Sequence, residues 1–336
     1  QDGFRYSARD LAVKRGQLEN VPVILGSATP SLESLANTAT GRYQRLLLKE
    51  RAGAAEMPSV ELLDLRRKSL EGGMTDALLE SAATTLAGGN QVLLFLNRRG
   101  YAPTLQCHDC GFIAGCPDCD ARLTLHRQAN QLRCHHCDWH CPLPPNCPAC
   151  QSSRLQASGV GTEQVEQVLA ERFPDYPSYR VDRDAVQQRG ALDAVLAEVA
   201  RGEPCLMLGT QMLTKGHHFP AVTLVGVLDT DAGLFSADFR GPERMGQLLT
   251  QVAGRAGRAE RPGKVLVQTH YPDHPLLQVL LESGYPAYAE RLLQERQESG
   301  MPPFGHLLLI RADGTSARAA EEFLATLRDQ AQGRLD

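Results

Sequence analysis

Short, nearly unbroken apolar runs recur along the chain at Pro22–Ala28, Val92–Leu96, Tyr179–Asp182, Cys205–Thr210, Thr223–Asp229 and Lys264–Thr269. Runs of this length read as strands, and strands without polar alternation are buried on both faces. Between them the apolar positions fall at three- and four-residue spacing. Leu78, Leu79, Ala82, Ala83 and Leu86 share one face behind Thr75 as an N-cap; Val165, Val168, Leu169 and Phe173 follow Thr162; Leu192, Val195, Leu196 and Val199 follow Gly190. Strands alternating with such helices predict an α/β fold, a parallel sheet covered on both faces. From about Pro272 the pattern turns to helices at Leu276–Leu281 and Tyr288–Gln297, then Pro302-Pro303, an apolar strand at Leu307–Ile310 and a helix over Ala317–Arg328. This reads as the opening of a further domain.

One stretch breaks the α/β pattern. Eight of the ten cysteines lie between Cys107 and Cys150, in the Cys-x2-Cys pairs Cys107/Cys110, Cys116/Cys119, Cys134/Cys137 and Cys147/Cys150. Each pair presents two thiolates from one tight turn, so the eight supply two complete tetrahedral Zn²⁺ sites with no open position, as structural zinc requires. Disulfides would need an oxidising compartment. The sequence shows no apolar signal segment and no run approaching the ~18 apolar residues of a membrane span, and its cysteine usage fits a reducing cytoplasm.

Between the inner pairs, Ala121–His126 and Leu132-Arg133 flank the turn-like Gln128-Ala129-Asn130 and read as a hairpin. A hairpin brings its ends together. Cys116, Cys119, Cys134 and Cys137 would then share one zinc, while Cys107, Cys110, Cys147 and Cys150 close a second around the outside. Pairing in sequence order is the alternative, at the cost of a cramped turn between Cys110 and Cys116. Cys141 reads as a half-buried free thiol and Cys205 as core. The module follows the strand Val92–Leu96 and precedes the helix at Thr162, so it is an insertion in a βα connection, at the sheet edge where such folds keep ligands.

Length and composition refine this only slightly. At 336 residues and 42% hydrophobic content the chain can bury a large core in two or three domains. The balance of 35 Lys+Arg against 39 Asp+Glu neither suggests nor excludes nucleic acid. Arg98, Arg99, Arg122, Arg127, Arg133 and Arg154 keep the surface around the cysteine module from being acidic.

Three short motifs bear on chemistry. Gln251-Val-Ala-Gly254-Arg255-Ala-Gly257-Arg258 follows a helix over Met245–Val252 and sets two always-charged guanidinium forks on glycine-bearing backbone, an arrangement suited to a polyphosphate. Gly209-Thr210-Gln211, leading to Lys215-Gly216, puts backbone N–H groups and a hydroxyl at a strand's carboxyl end. Gly26-Ser27-Ala28-Thr29-Pro30 closes an earlier apolar run with two hydroxyls and a proline-stiffened turn. Each alone is a common loop.

In this order the three resemble the later motifs of superfamily 2 helicases. With an eight-cysteine insert in the second motor lobe, the chain resembles the primosomal replication-restart branch of that superfamily. Phe4–Asp10, Asn97–Tyr101, Gly161–Glu163, Asp182–Asp184 and Ala237–Arg240 resemble it too, so the likeness covers essentially the whole chain.

The resemblance implies a RecA-like second lobe and the nested zinc pairing. It implies that Arg255 and Arg258 face the γ-phosphate, that Gln251, Gly254 and Thr210 border the nucleotide, and that Ser27, Thr29, Lys215 and Gly216 couple it to DNA. Phe4 and Tyr6 would end an aromatic-rich loop that senses single strands. His217-His218 departs from the family, in which the second position is often acidic. The implied activity is an ATP-dependent, 3′ to 5′ DNA helicase of stalled forks, with ATP and Mg²⁺ as cofactors. Its implied partners are forked and single-stranded DNA, other primosomal proteins and single-stranded-DNA-binding protein.

No Gly-x4-Gly-Lys-Ser/Thr phosphate loop and no Asp-Glu-x-His acidic motif occur, so neither the phosphate-cradling Lys nor the Mg²⁺-holding carboxylate is in this sequence. The expectation is a fragment, inactive alone: residues 1–65 a remnant of lobe one, 66–106 and 151–285 lobe two, 107–150 the zinc insert, and 286–336 the start of a C-terminal domain. The alternative is a zinc-dependent nucleic-acid or protein-binding module on a degenerate helicase-like scaffold. Intact Arg255 and Arg258 argue against degeneracy. A type I restriction or fork-reversal translocase would share the motor motifs but leave the eight cysteines unexplained.

Overall fold

The structure, a computed structural model, describes residues 6–48, 58–96, 104–119, 121–135, 137–157, 161–181, 190–209, 219–236, 238–256, 263–308, 310, 312 and 316–333. Two helices open it, α1 (Ala8–Glu19) and α2 (Leu32–Ala39), followed by β1 (Ser59–Asp64), α3 (Asp76–Ala87) and β2 (Gln91–Phe95). The cysteine module then carries β3 (Leu105–Cys107), β4 (Thr124–His126), β5 (Gln131–Arg133), β6 (His140–Pro142) and β7 (Leu155–Ala157). The α/β pattern resumes with α4 (Thr162–Arg172), β8 (Ser178–Val181), α5 (Ala191–Val199), β9 (Leu206–Gly209), β10 (Val222–Val227), α6 (Asp231–Leu234), α7 (Gly241–Ala253) and β11 (Lys264–Thr269). The helices α8 (Pro275–Glu298) and α9 (Ala317–Gln332) complete the order.

Six strands form one sheet in the order β1-β11-β10-β2-β9-β8, every neighbouring pair parallel. The expected α/β class and parallel sheet are therefore what the chain builds. Alternation along the strands feeds two cores. Leu93 and Phe95 of β2 join Met207, Val225 and Val267 on one face, beneath α7 and α8. Val92 and Leu94 join Leu206, Leu208 and Leu266 on the other, beneath α3 and α4. Each fully buried Leu, Val or Phe contributes about 1.5–3 kcal/mol relative to exposure, which is why these strands carry almost no polar side chains.

Helix α3 starts as its sequence dictates, the Thr75 hydroxyl accepting from the Leu78 N–H. Helix α7 packs on α8 at van der Waals limits, and Gly246 is the reason. A Cβ there would lie 2.2 Å from Cε1 of the fully buried Tyr288, whose hydroxyl donates to the Pro242 carbonyl at 2.6 Å.

Several expectations need correction. Pro22–Ala28 and Leu307–Ile310 have strand-like composition but form no strand where the structure describes them; Leu309 lies outside the described residues. A strand exists through its ladder, and neither run finds a neighbour among the described residues; Ile24 is 89% exposed and Leu308 86%. Conversely β1 was missed, because Ser-Val-Glu-Leu-Leu-Asp carries an acid in its middle and lies at the sheet's edge. Beside β11, it makes the sheet begin before the boundary expected near residue 65. The break expected between Leu281 and Tyr288 is a kink inside α8, where Gly284 takes φ +76°. Beyond the kink Tyr285, Tyr288, Ala289 and Leu292 stay in the sheet's own core, so no new packing unit opens at residue 286.

Candidate metal centres and the hydroxyl–helix contact

The hairpin expected between the inner cysteine pairs is β4 and β5, antiparallel, with Leu125 opposite Leu132 and β6 added as a third strand. Its turn closes through Asn130 at φ +48°. Three of the Cys-x2-Cys turns share one local design. The residue after the second cysteine takes positive φ (Gly111, Asp138 and Gln151), and its N–H donates to the carbonyl of the first cysteine, Cys107, Cys134 and Cys147 respectively. That closes a one-turn loop with both sulfurs on its inner side.

These turns gather the thiols into two groups of four, Cys107, Cys110, Cys147, Cys150 and Cys116, Cys119, Cys134, Cys137, each with all sulfurs within 4.8 Å of one another. Sulfur separations are 3.7 Å for Cys107–Cys150 and Cys110–Cys147, and 3.5 Å for Cys116–Cys137 and Cys119–Cys134. A tetrahedron of sulfurs about 2.3 Å from a central Zn²⁺ has edges of about 3.8 Å, whereas a disulfide would need about 2.05 Å. The geometry is that of a closed metal site, nested in pairing. Burial, with its thiol neighbours, pushes the Cys110 thiol up to about 12. Like charges this close repel, so four neighbouring thiols become thiolates together only around a cation, and its binding would release their protons.

The leftover Cys141 packs half-buried in the module's small core with Leu125 and Leu132, its thiol pushed up by burial; Cys205 lies in the main core. No sequence signal marked the residues that fasten the module to the sheet. His108, inside the first cysteine turn, places Nε2 2.8 Å from the Lys68 carbonyl and Nδ1 3.1 Å from Nε2 of His270. His270 Nδ1 in turn lies 2.8 Å from Asp231 Oδ2, which also accepts from Gln106 Nε2 at 3.0 Å and from the His270 N–H at 3.0 Å. Burial lowers the His108 imidazole. Asp231 is held low despite its burial by the hydrogen bonds from His270 and Thr269. Acceptors stand at both ends of the imidazole pair, a carbonyl and a carboxylate, so all three bonds form at once only when the two rings share one extra proton. The Tyr271 hydroxyl donates to the Gly111 carbonyl beside them.

On the opposite core face lies a second constellation. The Ser27 hydroxyl accepts from the Thr29 N–H at 3.0 Å and shapes the hydroxyl-bearing turn. Thr29 is buried, and its Oγ1 accepts from Gln251 Nε2 at 3.0 Å. Helix α7 meets this turn along one stripe, Glu243, Gln247 and Gln251, spaced four residues apart. Glu243 Oε1 accepts from the Leu32 N–H at 3.1 Å, and Gln247 Nε2 reaches the Thr29 carbonyl and the Tyr285 hydroxyl at 3.4 and 3.3 Å. Tyr285 donates to the Pro30 carbonyl at 2.8 Å. Glu243 is fixed from behind by Arg296, the two buried charges 2.8 Å apart.

Gly254 and half-buried Arg255 follow directly at the end of α7. Tyr6 is exposed just ahead of α1. Phe4, Thr210, Lys215, Gly216, His217, His218 and Arg258 lie outside the described residues. The structure thus brings Thr29 and Gln251 together, with Ser27 behind the turn. Among the described residues no helix is long and apolar enough to cross a membrane.

A family profile described as the PriA DNA helicase Cys-rich region (CRR) domain matches residues 116–142, the hairpin with its inner cysteine pairs. Replication restart protein PriA of Haemophilus influenzae is 48% identical over 99% of this chain and 46% of its own length. The proteins of that name from Bacillus subtilis and Synechocystis are 41% and 40% identical over 91% and 96% of this chain, and 38% and 40% of their own lengths. The chain spans less than half the length of these relatives. A solved structure of S. cerevisiae Dbp5 bound to RNA and ADP BeF3 aligns at 13% identity and TM-score 0.40 over 94% of this chain and 57% of that one, too loosely to carry any argument.

Proposed function

The chain belongs to the PriA family of replication restart proteins, and on that premise we propose that it supplies the second motor lobe and zinc insert of an ATP-dependent, 3′ to 5′ DNA helicase acting at stalled forks. In a protein of its relatives' full length, α1 and α2 are the tail of the first lobe, the parallel sheet is the second, and the cysteine module is an insert in the connection after β2. The phosphate loop and the acidic Mg²⁺ motif, absent from this sequence, come from elsewhere in that protein, so this chain alone hydrolyses no ATP.

The observation that carries the reading is the contact of Thr29 with Gln251. It joins the hydroxyl motif of one lobe to the helix that ends in the arginines. ATP with Mg²⁺ supplies the phosphoryl transfer. Arg255 and Arg258 then stabilise charge on the transferring group, Gln251 and Gly254 border the nucleotide with Thr210, and the Ser27–Thr29 turn passes the change to DNA together with Lys215 and Gly216. Phe4 and Tyr6 stack on an unpaired base.

Cys107, Cys110, Cys147 and Cys150 hold one Zn²⁺ and Cys116, Cys119, Cys134 and Cys137 the other. Both are structural, and they shape a surface for duplex separation and for other primosomal proteins and single-stranded-DNA-binding protein. The protein works on forked and single-stranded DNA in the cytoplasm. The test is strand separation of a 3′-tailed fork by a protein of full length. ATP-dependent unwinding is expected, with loss on Arg258→Ala at retained DNA affinity; unwinding unaffected by that change would refute the finger role.

A further inference from the structure

The carboxyl edge of the sheet holds a cavity of about 480 Å³, and none of the motor or metal residues among the described residues lines it. Its floor is Leu228, Asp229 and Thr230 after β10, with His270 after β11 and Leu65 after β1. Its roof is the stem of the cysteine module, Gln106 on β3 and Gln156 on β7, and Gln164 and Gln167 of α4 close one side. After the neighbouring strands β10 and β2 the chain continues to helices on opposite faces of the sheet, α7 on one and α4 on the other, the kind of switch point where open α/β sheets hold ligands. The volume lies within the range of about 300–1,000 Å³ common to small-molecule sites.

The chemistry of the lining is selective. Among the described residues no Lys or Arg contributes to it, while two aspartates do, so these walls offer a phosphate or other anion no cationic partner. A simple cation is poorly served too, because the Asp231 carboxylate already accepts hydrogen bonds from His270, Gln106 and Thr269. What remains is neutral and polar. Four glutamine amides line it: Gln106 and Gln167 already donate from Nε2 to Asp231 and Glu171 and keep their carbonyl oxygens as acceptors, Gln156 and Gln164 bring a donor and an acceptor each, and the Thr230 hydroxyl is buried without a hydrogen-bond partner among the described residues. Burial and the neighbouring Asp231 charge push the Asp229 carboxyl up to about 7, so at neutral pH much of it is a carboxylic acid, again both donor and acceptor. Leu65, Leu70, Val168 and Leu228 supply apolar walls.

A planar neutral ring with mixed donors and acceptors on its edge and apolar faces meets this description. We infer that the cavity beneath the stem of the zinc module receives an unpaired nucleobase, its edge read by the glutamine amides, Asp229 and Thr230. Amide side chains pair bidentately with base edges, and apolar walls accept the faces. The base comes either from an unstacked nucleotide of a bound strand or from a free nucleoside. The inference rests on the DNA-motor reading only for the first of these sources.

Two probes separate them. Saturation-transfer NMR of the 336-residue chain with deoxyadenosine and thymidine reads the free source, and fluorescence of a single-stranded oligonucleotide carrying one 2-aminopurine reads the strand source. Polarisation of an end-labelled strand follows strand binding independently. Nucleoside transfer, or a rise in 2-aminopurine emission on binding, is expected. Either signal should weaken at least tenfold in Asp229→Leu and in Gln156→Leu, whose side chain is exposed and whose replacement leaves the fold intact, and should persist in Asp229→Asn, which keeps a donor and an acceptor. A strand that binds with neither signal overturns the pocket and leaves the motor reading standing. Nucleoside binding without strand binding supports the pocket and counts against the motor reading. Signals unaffected by Gln156→Leu and Asp229→Leu alike overturn the assignment to this cavity.

Discussion

Gln251 reaches across 222 positions of the chain to donate a hydrogen bond to the Thr29 hydroxyl at 3.0 Å. Thr29 closes a proline-stiffened turn and Gln251 stands one turn before the arginines, so any shift of one element is felt by the other through a buried, directional contact.

Breaking that contact tests the coupling. Gln251→Ala leaves a buried hydroxyl unsatisfied, a cost of about 1–3 kcal/mol. In the full-length protein, DNA-stimulated ATP hydrolysis should fall about tenfold, equivalent to about 1.4 kcal/mol, while DNA affinity stays near wild type. Steady-state hydrolysis with and without single-stranded DNA measures both.

The cysteine geometry predicts two metal ions per chain, and elemental analysis of the purified protein counts them. Cys147→Ser should remove one Zn²⁺ and Cys134→Ser the other. The two groups share no ligand, so each variant should retain the site it does not touch. Chelation at neutral pH should expose the module to protease before the sheet, and zinc rebinding should release protons.

Asp229 predicts a stabilising substitution with a definite pH signature. Its carboxyl is raised to about 7, first by burial and then by Asp231, with His270 opposing. The unfolded chain loses this proton near pH 3.8, so native stability declines as pH rises from about 3.8 towards 7 and the penalty is complete above that. Asp229→Asn should therefore raise stability by about 2 kcal/mol at pH 8 and change little at pH 4, given about 1.4 kcal/mol per unit and partial relaxation of the site. Thermal melts of both proteins at the two pH values decide it.

The buried Glu243–Arg296 pair anchors α7 to α8 and holds the Leu32 N–H. Glu243→Ala should cost about 3–5 kcal/mol, since it strands a buried guanidinium. Glu243→Gln with Arg296→Met should recover part of that loss in urea denaturation, because no uncompensated charge remains.

Much of this was legible in the residues. The sheet was readable because a strand buried on both faces must be apolar throughout, as Val92 to Phe95 are. The metal geometry was readable because the four pairs and one hairpin leave few ways to close. Edge strand β1 escaped because only one side of it is paired, so Glu61 is tolerated in its middle. Pro22–Ala28 misled for the opposite reason, since composition records the tendency to form a ladder and not the presence of a neighbour. The His108–His270–Asp231 chain was invisible, because 162 positions separate the two rings and nothing local marks a histidine inside a cysteine turn as an anchor.

The measurement that bears most directly on a motor built around α7 is DNA-stimulated ATP hydrolysis by the full-length protein, wild type against Arg255→Ala. Loss of turnover by about 10³-fold with DNA binding intact is the expected result, the scale on which arginine fingers act. Turnover equal to wild type would contradict the motor role of this helix end.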